Sequence, residues 1–248
     1  MNSVAGYVYV GSFTNNGHEF LVFDRLPGDR TLLLSATAAE SDFPATYQNG
    51  DFSLDTSAYA VCFAAGTLIS TEKGETPVEQ LQIGERVRSH DGSLVRVKWI
   101  GRQTVSTRFG PAERLMPVRF AAGSLGDGLP HSDLTVTADH GMLVDGVICH
   151  AGALVNGTTI TRVPLSEMGE TYTVYHIETE EHEIIFANGA PAETFIDNVS
   201  RRAFGNFAEF ETLYGDVPEM EELPYPRAMS ARQVPGRIVA KLARKAVA

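Results

Sequence analysis

Cys62 opens the run Cys62-Phe63-Ala64-Ala65-Gly66-Thr67-Leu68-Ile69, and far downstream the chain reads Thr137-Ala138-Asp139-His140. A cysteine thiol is a strong peptide-attacking nucleophile once part of it is thiolate. Attack by Cys62 on the carbonyl of Val61 would turn the amide between them into a thioester through a tetrahedral intermediate. Two aids are then required. The departing nitrogen needs a proton, and the oxyanion and the breaking bond need to be held. A histidine with a pKa near neutrality suits the first task. A hydroxyl three residues earlier can hydrogen-bond the same peptide unit, so Thr137 and His140 fit these roles. Taken alone, the same residues also fit a plainer account, with Cys62 a small apolar filler and His140 a satisfied polar side chain. The other cysteine, Cys149, stands in no CxxC spacing, so the two do not read as a redox pair or a zinc knuckle.

Such a site has to be positioned by a folded scaffold, and the composition supplies one. The chain has 248 residues, 43% hydrophobic and 21% charged, as expected of one large all-β domain or one domain with appendages. A net charge of −11 argues against nucleic acid or an anionic membrane as the partner of the whole chain. Two cysteines do not staple a fold of this size. The first basic residue is Arg25, so no charged n-region precedes an apolar stretch as in an export signal. No apolar run is long enough for a membrane helix. The cytoplasm is therefore the expected compartment, with export that uses no N-terminal signal left open.

Three segments are expected. Residues 1–61 hold Tyr7-Val8-Tyr9-Val10 and Phe20-Leu21-Val22-Phe23 around Asn15-Asn16-Gly17, which predicts a hairpin. Residues 34–59 read as a loose connector. From 62 to about 200, strand-like runs recur at Val95–Ile100, Leu134–Thr137, Met142–Val144, Val147-Ile148, Thr158–Val163, Tyr172–Glu178 and Ile184–Phe186. They are punctuated by Asp91-Gly92, Asp145-Gly146, Asn156-Gly157 and Asn188-Gly189, pairs suited to the positive φ angles of two-residue turns. Short strands with such turns predict an all-β fold, a compact twisted sandwich or pseudo-barrel. Thr76-Pro77-Val78-Glu79-Gln80-Leu81 reads as one helical turn with a capping Thr76 and Pro77 at its first position. Residues 201–248 run from acidic to basic, ending in Arg232, Arg237, Lys241, Arg244 and Lys245. Ile238, Val239 and Leu242 suit a short amphipathic helix there. The segment reads either as a contact for an anionic partner or as a solvated, frayed tail.

Four blocks in order resemble the Hint domain, the fold shared by hedgehog autoprocessing domains and inteins, and are most similar to stand-alone bacterial Hint-domain proteins. They are the opening Cys62-Phe63-x-x-Gly66-Thr67-Leu68-Ile69; Gly74-x-x-Pro77-Val78-Glu79-x-Leu81-x-x-Gly84-Glu85-x-Val87; Leu134-Thr135-Val136-Thr137-Ala138-Asp139-His140; and Tyr175-His176-Ile177-Glu178 through His182 to Phe186-Ala187-Asn188-Gly189. The resemblance implies a Hint fold over 62–200, Cys62 as the nucleophile of an N-to-S acyl shift, and Val61–Cys62 as the scissile bond. It also implies that His140, helped by Thr137, acts on the scissile amide. His176 and His182 are candidates for a second acid or base near Cys62, and Asp139 for orienting His140, although an Asp there also serves simply to shape a turn. The substrate would be the chain's own N-terminal segment, released to water or another small nucleophile, with no cofactor. Inteins end in His-Asn, where this chain holds roughly Glu193-Thr194. Neither residue forms a succinimide, so full splicing is not expected. No clear counterpart of the hedgehog sterol-activating Asp occurs between Trp99 and Arg119.

Three other readings compete. The chain could keep the fold and have lost the reaction, acting as a binding or scaffold protein. It could hold a metal through Cys149, His150, His140, His176 or His182, although adjacent Cys149 and His150 on a strand face opposite ways. It could be a cysteine hydrolase acting on other proteins, which would require an open cleft. The sequence does not set the oligomeric state.

Overall fold

The computed structural model describes residues 7–15, 18–25, 31–34, 39, 61–107, 112–196, 201, 204–215, 217 and 220–245. Strands β1 (Tyr7–Asn15), β2 (His18–Arg25) and β3 (Thr31–Leu34) form a small antiparallel sheet. Asn15 pairs with His18, so the expected hairpin forms. The third strand, paired from Leu21–Leu34 to Asp24–Thr31, was not anticipated by the sequence reading. The connector expected over 34–59 lies outside the described residues except for Leu34 and Ala39.

The rest of the chain is built on one large sheet. Its first half comprises β4 (Phe63–Ala64), β5 (Leu68–Thr71), β6 (Gly74–Pro77), β7 (Arg86–Arg88), β8 (Leu94–Ser106) and β9 (Val118–Phe120). Then come β10 (Leu134–Val136), β11 (Gly141–Val144), β12 (Val147–His150), β13 (Ile160–Arg162), β14 (Thr171–Thr179), β15 (Ile184–Ala187), β16 (Ala190–Glu193) and β17 (Arg227–Ala228). The spatial order is β13-β9-β10-β4-β14-β8-β7-β5-β15-β16-β11-β12-β17, with β6 beside β5. The ladder is open at both ends and is not a closed barrel. The fold is all-β, as expected, with short helices α1 (Ala112–Leu115), α2 (Leu165–Met168), α3 (Phe207–Tyr214) and α4 (Gly236–Lys245) at its margins.

The long β8 joins the halves, pairing with β14 along most of its length and with β7 at its start. Its run of β-branched and aromatic residues suits an extended chain with neighbours on both sides. One core serves both halves: Phe63, Val118, Phe120 and Val136 pack in the same cluster as Ile69, Val87, Ile185 and Met142. Each such side chain contributes about 1.5–3 kcal/mol by leaving water, which holds the sheet folded onto itself.

Two of the four Gly-containing pairs make two-residue hairpins. Asp145 and Gly146 have φ of 46° and 76°, and Asn188 and Gly189 have φ of 47° and 77°, joining Val144 to Val147 and Ala187 to Ala190. Positive φ at both positions is what a twist-matched hairpin demands. At Asn156-Gly157 the loop instead folds around the Asn156 side chain, whose Oδ1 accepts the amides of Thr158, Thr159 and Ile160. The expected helical turn is a 3-10 turn at Val78–Gln80. Thr76 is a strand residue opposite Ile69 and does not cap the turn, and Glu79 accepts the Gly66 amide at 2.8 Å.

The C-terminal segment is folded against the sheet and is not a solvated tail. β17 runs parallel to β12, and Ile238 and Leu242 of α4 are buried while Val239 faces outward. Two of the basic residues find partners within the chain: Lys241 meets Asp145 at 2.8 Å, and Arg237 donates to the Asp145 carbonyl at 3.2 Å.

Candidate functional site

Strand pairing brings the two chemical blocks together. Val136 of β10 lies opposite Phe63 of β4, so the residues flanking that pair, Thr137 and Cys62, become neighbours. The Cys62 amide donates to the Thr137 hydroxyl oxygen at 2.9 Å, and the Thr137 amide donates to the Cys62 carbonyl at 2.9 Å. The chain then turns at once, with the His140 amide donating to the Thr137 carbonyl at 3.1 Å. This one turn carries His140 back toward the start of the module, where its ring lies 4.3 Å from that of Phe63. His140 is fully buried, and neither ring nitrogen has a hydrogen-bond partner. Burial lowers its pKa to about 4, because charging an imidazole away from water is unfavourable.

A second histidine, His176, bonds the peptide unit that joins Val61 to Cys62. β14 pairs with β4, Tyr175 facing Phe63, and the next residue, His176, bonds the Val61 carbonyl through Nδ1. A carbonyl only accepts, so Nδ1 carries the hydrogen and Nε2 is the bare nitrogen; Nε2 has no partner. Burial is the main cause lowering the His176 pKa to about 3, and His140 pushes the same way. Both imidazoles are therefore neutral around pH 7. Across the ladder from His176 stands Gly101. A Cβ there would lie 2.7 Å from the Phe204 ring, so the absence of a side chain lets Phe204 stack on His176, ring centres 5.3 Å apart.

Residues 61–199 match the family model described as the Hint domain. The chain belongs to the Hint domain family. Among solved structures, similar ones include the MchDnaB-1 intein, 16% identical, with 52% of this chain and 98% of that one covered at a TM-score of 0.38. A bacterial intein-like domain from Clostridium thermocellum is 14% identical, with 55% and 99% covered at a TM-score of 0.40. A DnaB intein from Synechocystis is 13% identical, with 54% and 99% covered at 0.38. No curated protein matches the chain.

In this Hint domain the Cys62 side chain is fully buried in a cluster with Trp99, Val105, Leu115, Val174, Phe195, Phe204 and Phe210. Burial raises its thiol pKa well above the ordinary value. The resting group is thus a thiol, and its proton has to leave as the sulfur attacks.

The remaining candidates are placed elsewhere. Asp139 makes no hydrogen bond to the His140 ring, whose two nitrogens are unpartnered. Its side chain is 58% exposed and lies 3.7 Å from His150 Nδ1. His182 is buried, but Nδ1 accepts the Leu223 amide at 3.2 Å and Nε2 lies 3.4 Å from Glu193. Thr194 accepts the Glu183 amide at 2.9 Å. Among the described residues no group of three or more His, Cys, Asp or Glu side chains could hold a metal ion. Cys149 is buried on β12, where burial pushes its pKa up to about 11.

Two features of the site escaped sequence reasoning. Phe204 and α3 come from the segment after residue 200, and only the clustered aromatics Phe204, Phe207 and Phe210 hinted at packing. Glu193 is buried, at 1% exposure, and a lone Glu after Ala190-Pro191-Ala192 gives no signal of that.

Proposed function

We propose that this Hint domain rearranges its own backbone at Val61–Cys62 by an N-to-S acyl shift and then releases the N-terminal segment without splicing. The observation that carries the reading is that both polar atoms of one peptide bond are held by side chains: the Val61 oxygen by His176 and the Cys62 nitrogen by Thr137. Most structural peptides bond to other backbone.

In the proposed step the Cys62 sulfur adds to the Val61 carbonyl carbon. Its proton passes to a bare nitrogen of neutral His140, and His140 returns it to the Cys62 nitrogen as the carbon–nitrogen bond breaks. Amide and thiol become thioester and amine, with no atom gained or lost. The His176 Nδ1–H supports the developing oxyanion, a role for which one preorganised donor is worth about 3–4 kcal/mol in other enzymes. Two unpartnered buried nitrogens on His140 cost stability, about 1–3 kcal/mol each, which fits a side chain kept for proton transfer rather than for structure. Water or a small nucleophile then takes the acyl group and regenerates the thiol.

One observation favours the scaffold reading instead, namely the full burial of Cys62. A denaturing gel of the full chain with and without hydroxylamine or dithiothreitol separates the two. The acyl-shift reading expects a piece spanning 62–248 and a short N-terminal piece, with Cys62→Ala intact. A wild-type chain that stays whole under every thiol condition supports the scaffold.

A further inference from the structure

We propose that Glu193 is a positioning residue for His140: a buried carboxylate, locked by Arg227 of the C-terminal segment, whose charge sets how readily His140 holds a proton. The proposal rests on the acyl-shift reading for its purpose, but its geometry stands apart from it. Met142 of β11 pairs with Ala192 of β16, which brings Glu193 beside Gly141, the residue after His140. A Cβ on Gly141 would lie 2.2 Å from Glu193 Oε1 and 2.6 Å from Ile148 Cγ2. The bare glycine thus admits the carboxylate to the backbone turn that carries the imidazole. An isolated buried carboxylate is strongly unfavourable. Arg227 Nη2 answers it at 2.8 Å, with His182 Nε2 at 3.4 Å, and Arg227 is bonded in turn to Glu222.

The charges bear out the placement. Burial alone would raise the Glu193 pKa, but nearby His182, the Arg227 hydrogen bond and the Arg227 charge bring it down to about 2. Glu193 is therefore ionised at neutral pH. Around His140, burial favours the neutral ring, Glu193 favours the charged one, and His150 opposes it. His176 is the further titratable group coupled to this ring. Because His140 has no hydrogen-bond partner, Glu193 acts across space. Its lock, Arg227, lies outside the residues 61–199 that match the family, so the segment beyond the Hint match completes the electrostatics of the site.

The test is an NMR titration of the His140 ring in the full chain carrying Cys62→Ala, with the signal assigned by comparison with His140→Gln. Adding Glu193→Gln is expected to lower the midpoint by about one pH unit or more, a tenfold loss of imidazolium. Adding Arg227→Gln is expected to lower it as well, because the buried carboxylate, without its countercharge, takes up a proton in the range where His140 titrates. Mere loosening of the fold would move both variants upward, toward an exposed imidazole. An unchanged or raised midpoint in Glu193→Gln overturns the proposal, and should that chain fail to fold, an unchanged or raised midpoint in Arg227→Gln overturns it alone. In chains that keep Cys62, the pH profile of cleavage should shift in the same direction. Failure of the wild-type chain to cleave would sink the acyl-shift reading while leaving the titration readable.

Discussion

Cys62 and Thr137 hold each other through three hydrogen bonds: the Cys62 amide donates to the Thr137 hydroxyl at 2.9 Å, the Thr137 amide donates to the Cys62 carbonyl at 2.9 Å, and the hydroxyl donates to that carbonyl at 3.4 Å. The backbone half of this exchange is sheet pairing. The side-chain half is a choice of residue, and substitution reaches it separately. Thr137→Val keeps the shape and removes the acceptor, leaving a buried amide unsatisfied at a cost of about 1–3 kcal/mol. It should lower the urea midpoint and slow cleavage at least about tenfold. Thr137→Ser keeps the hydroxyl and should retain most of both. Equal rates in the Val and Ser chains would show the hydroxyl to be a bystander.

Stability should fall as the solution is acidified from near neutrality. His140 and His176 are neutral in the fold down to about 4 and about 3, against an ordinary 6.5. Below 6.5 the unfolded chain therefore binds more protons than the folded one, and acid favours unfolding. The loss grows through the interval from 6.5 toward 4, on the order of a few kcal/mol per histidine. Glu193, held at about 2 against 4.5, adds its own loss only below 4.5. Urea unfolding across this range should show declining midpoints, and His140→Gln should flatten the upper part. A midpoint that stays level from pH 6.5 to pH 4 would contradict the neutral, buried assignment.

Phe204 packs in the same buried cluster as Cys62, so its removal is expected to open a path to the thiol. Its ring fills the space over Gly101 and stacks on His176. In a Cys149→Ala background, Phe204→Ala removes about 3–5 kcal/mol of packing, raising the opened population at least about a hundredfold. Labelling of Cys62 by a thiol reagent should accelerate accordingly, and Gly101→Ala should act in the same direction. Labelling as fast in the parent chain as in these variants would show the thiol to be open already.

The all-β class, most strand positions and the pairing of Cys62 with Thr137 were legible because they are written locally. Alternation, Asn-Gly and Asp-Gly turns, and a Thr and His three apart each act within a few residues. Partners set by distant pairing were not legible. Asp139 precedes His140 and invited a contact, yet neighbours along an extended turn point apart, and its side chain meets His150. His182 sits in the same block as His176, but the chain between β14 and β15 carries it to Glu193 and Leu223. The partner of buried Glu193 is Arg227, 34 residues further along the chain, and no local pattern links the two.

The C-terminal helix should matter through its apolar face and little through its charges. Ile238 is fully buried, so Ile238→Ala should cost about 2–3 kcal/mol. Lys241, half exposed in its pair with Asp145, should cost under about 1 kcal/mol when changed to Ala. Thermal unfolding of the two variants ranks them, and the reverse order would mean that α4 is held by its ion pairs.

The acyl shift itself is tested most directly by mass spectrometry of the purified full chain after hydroxylamine. The account predicts a fragment that begins at Cys62 and a partner ending in a Val61 hydroxamate, both missing from Cys62→Ala. An intact wild-type mass under the same treatment, or a cut at any other bond, would contradict it.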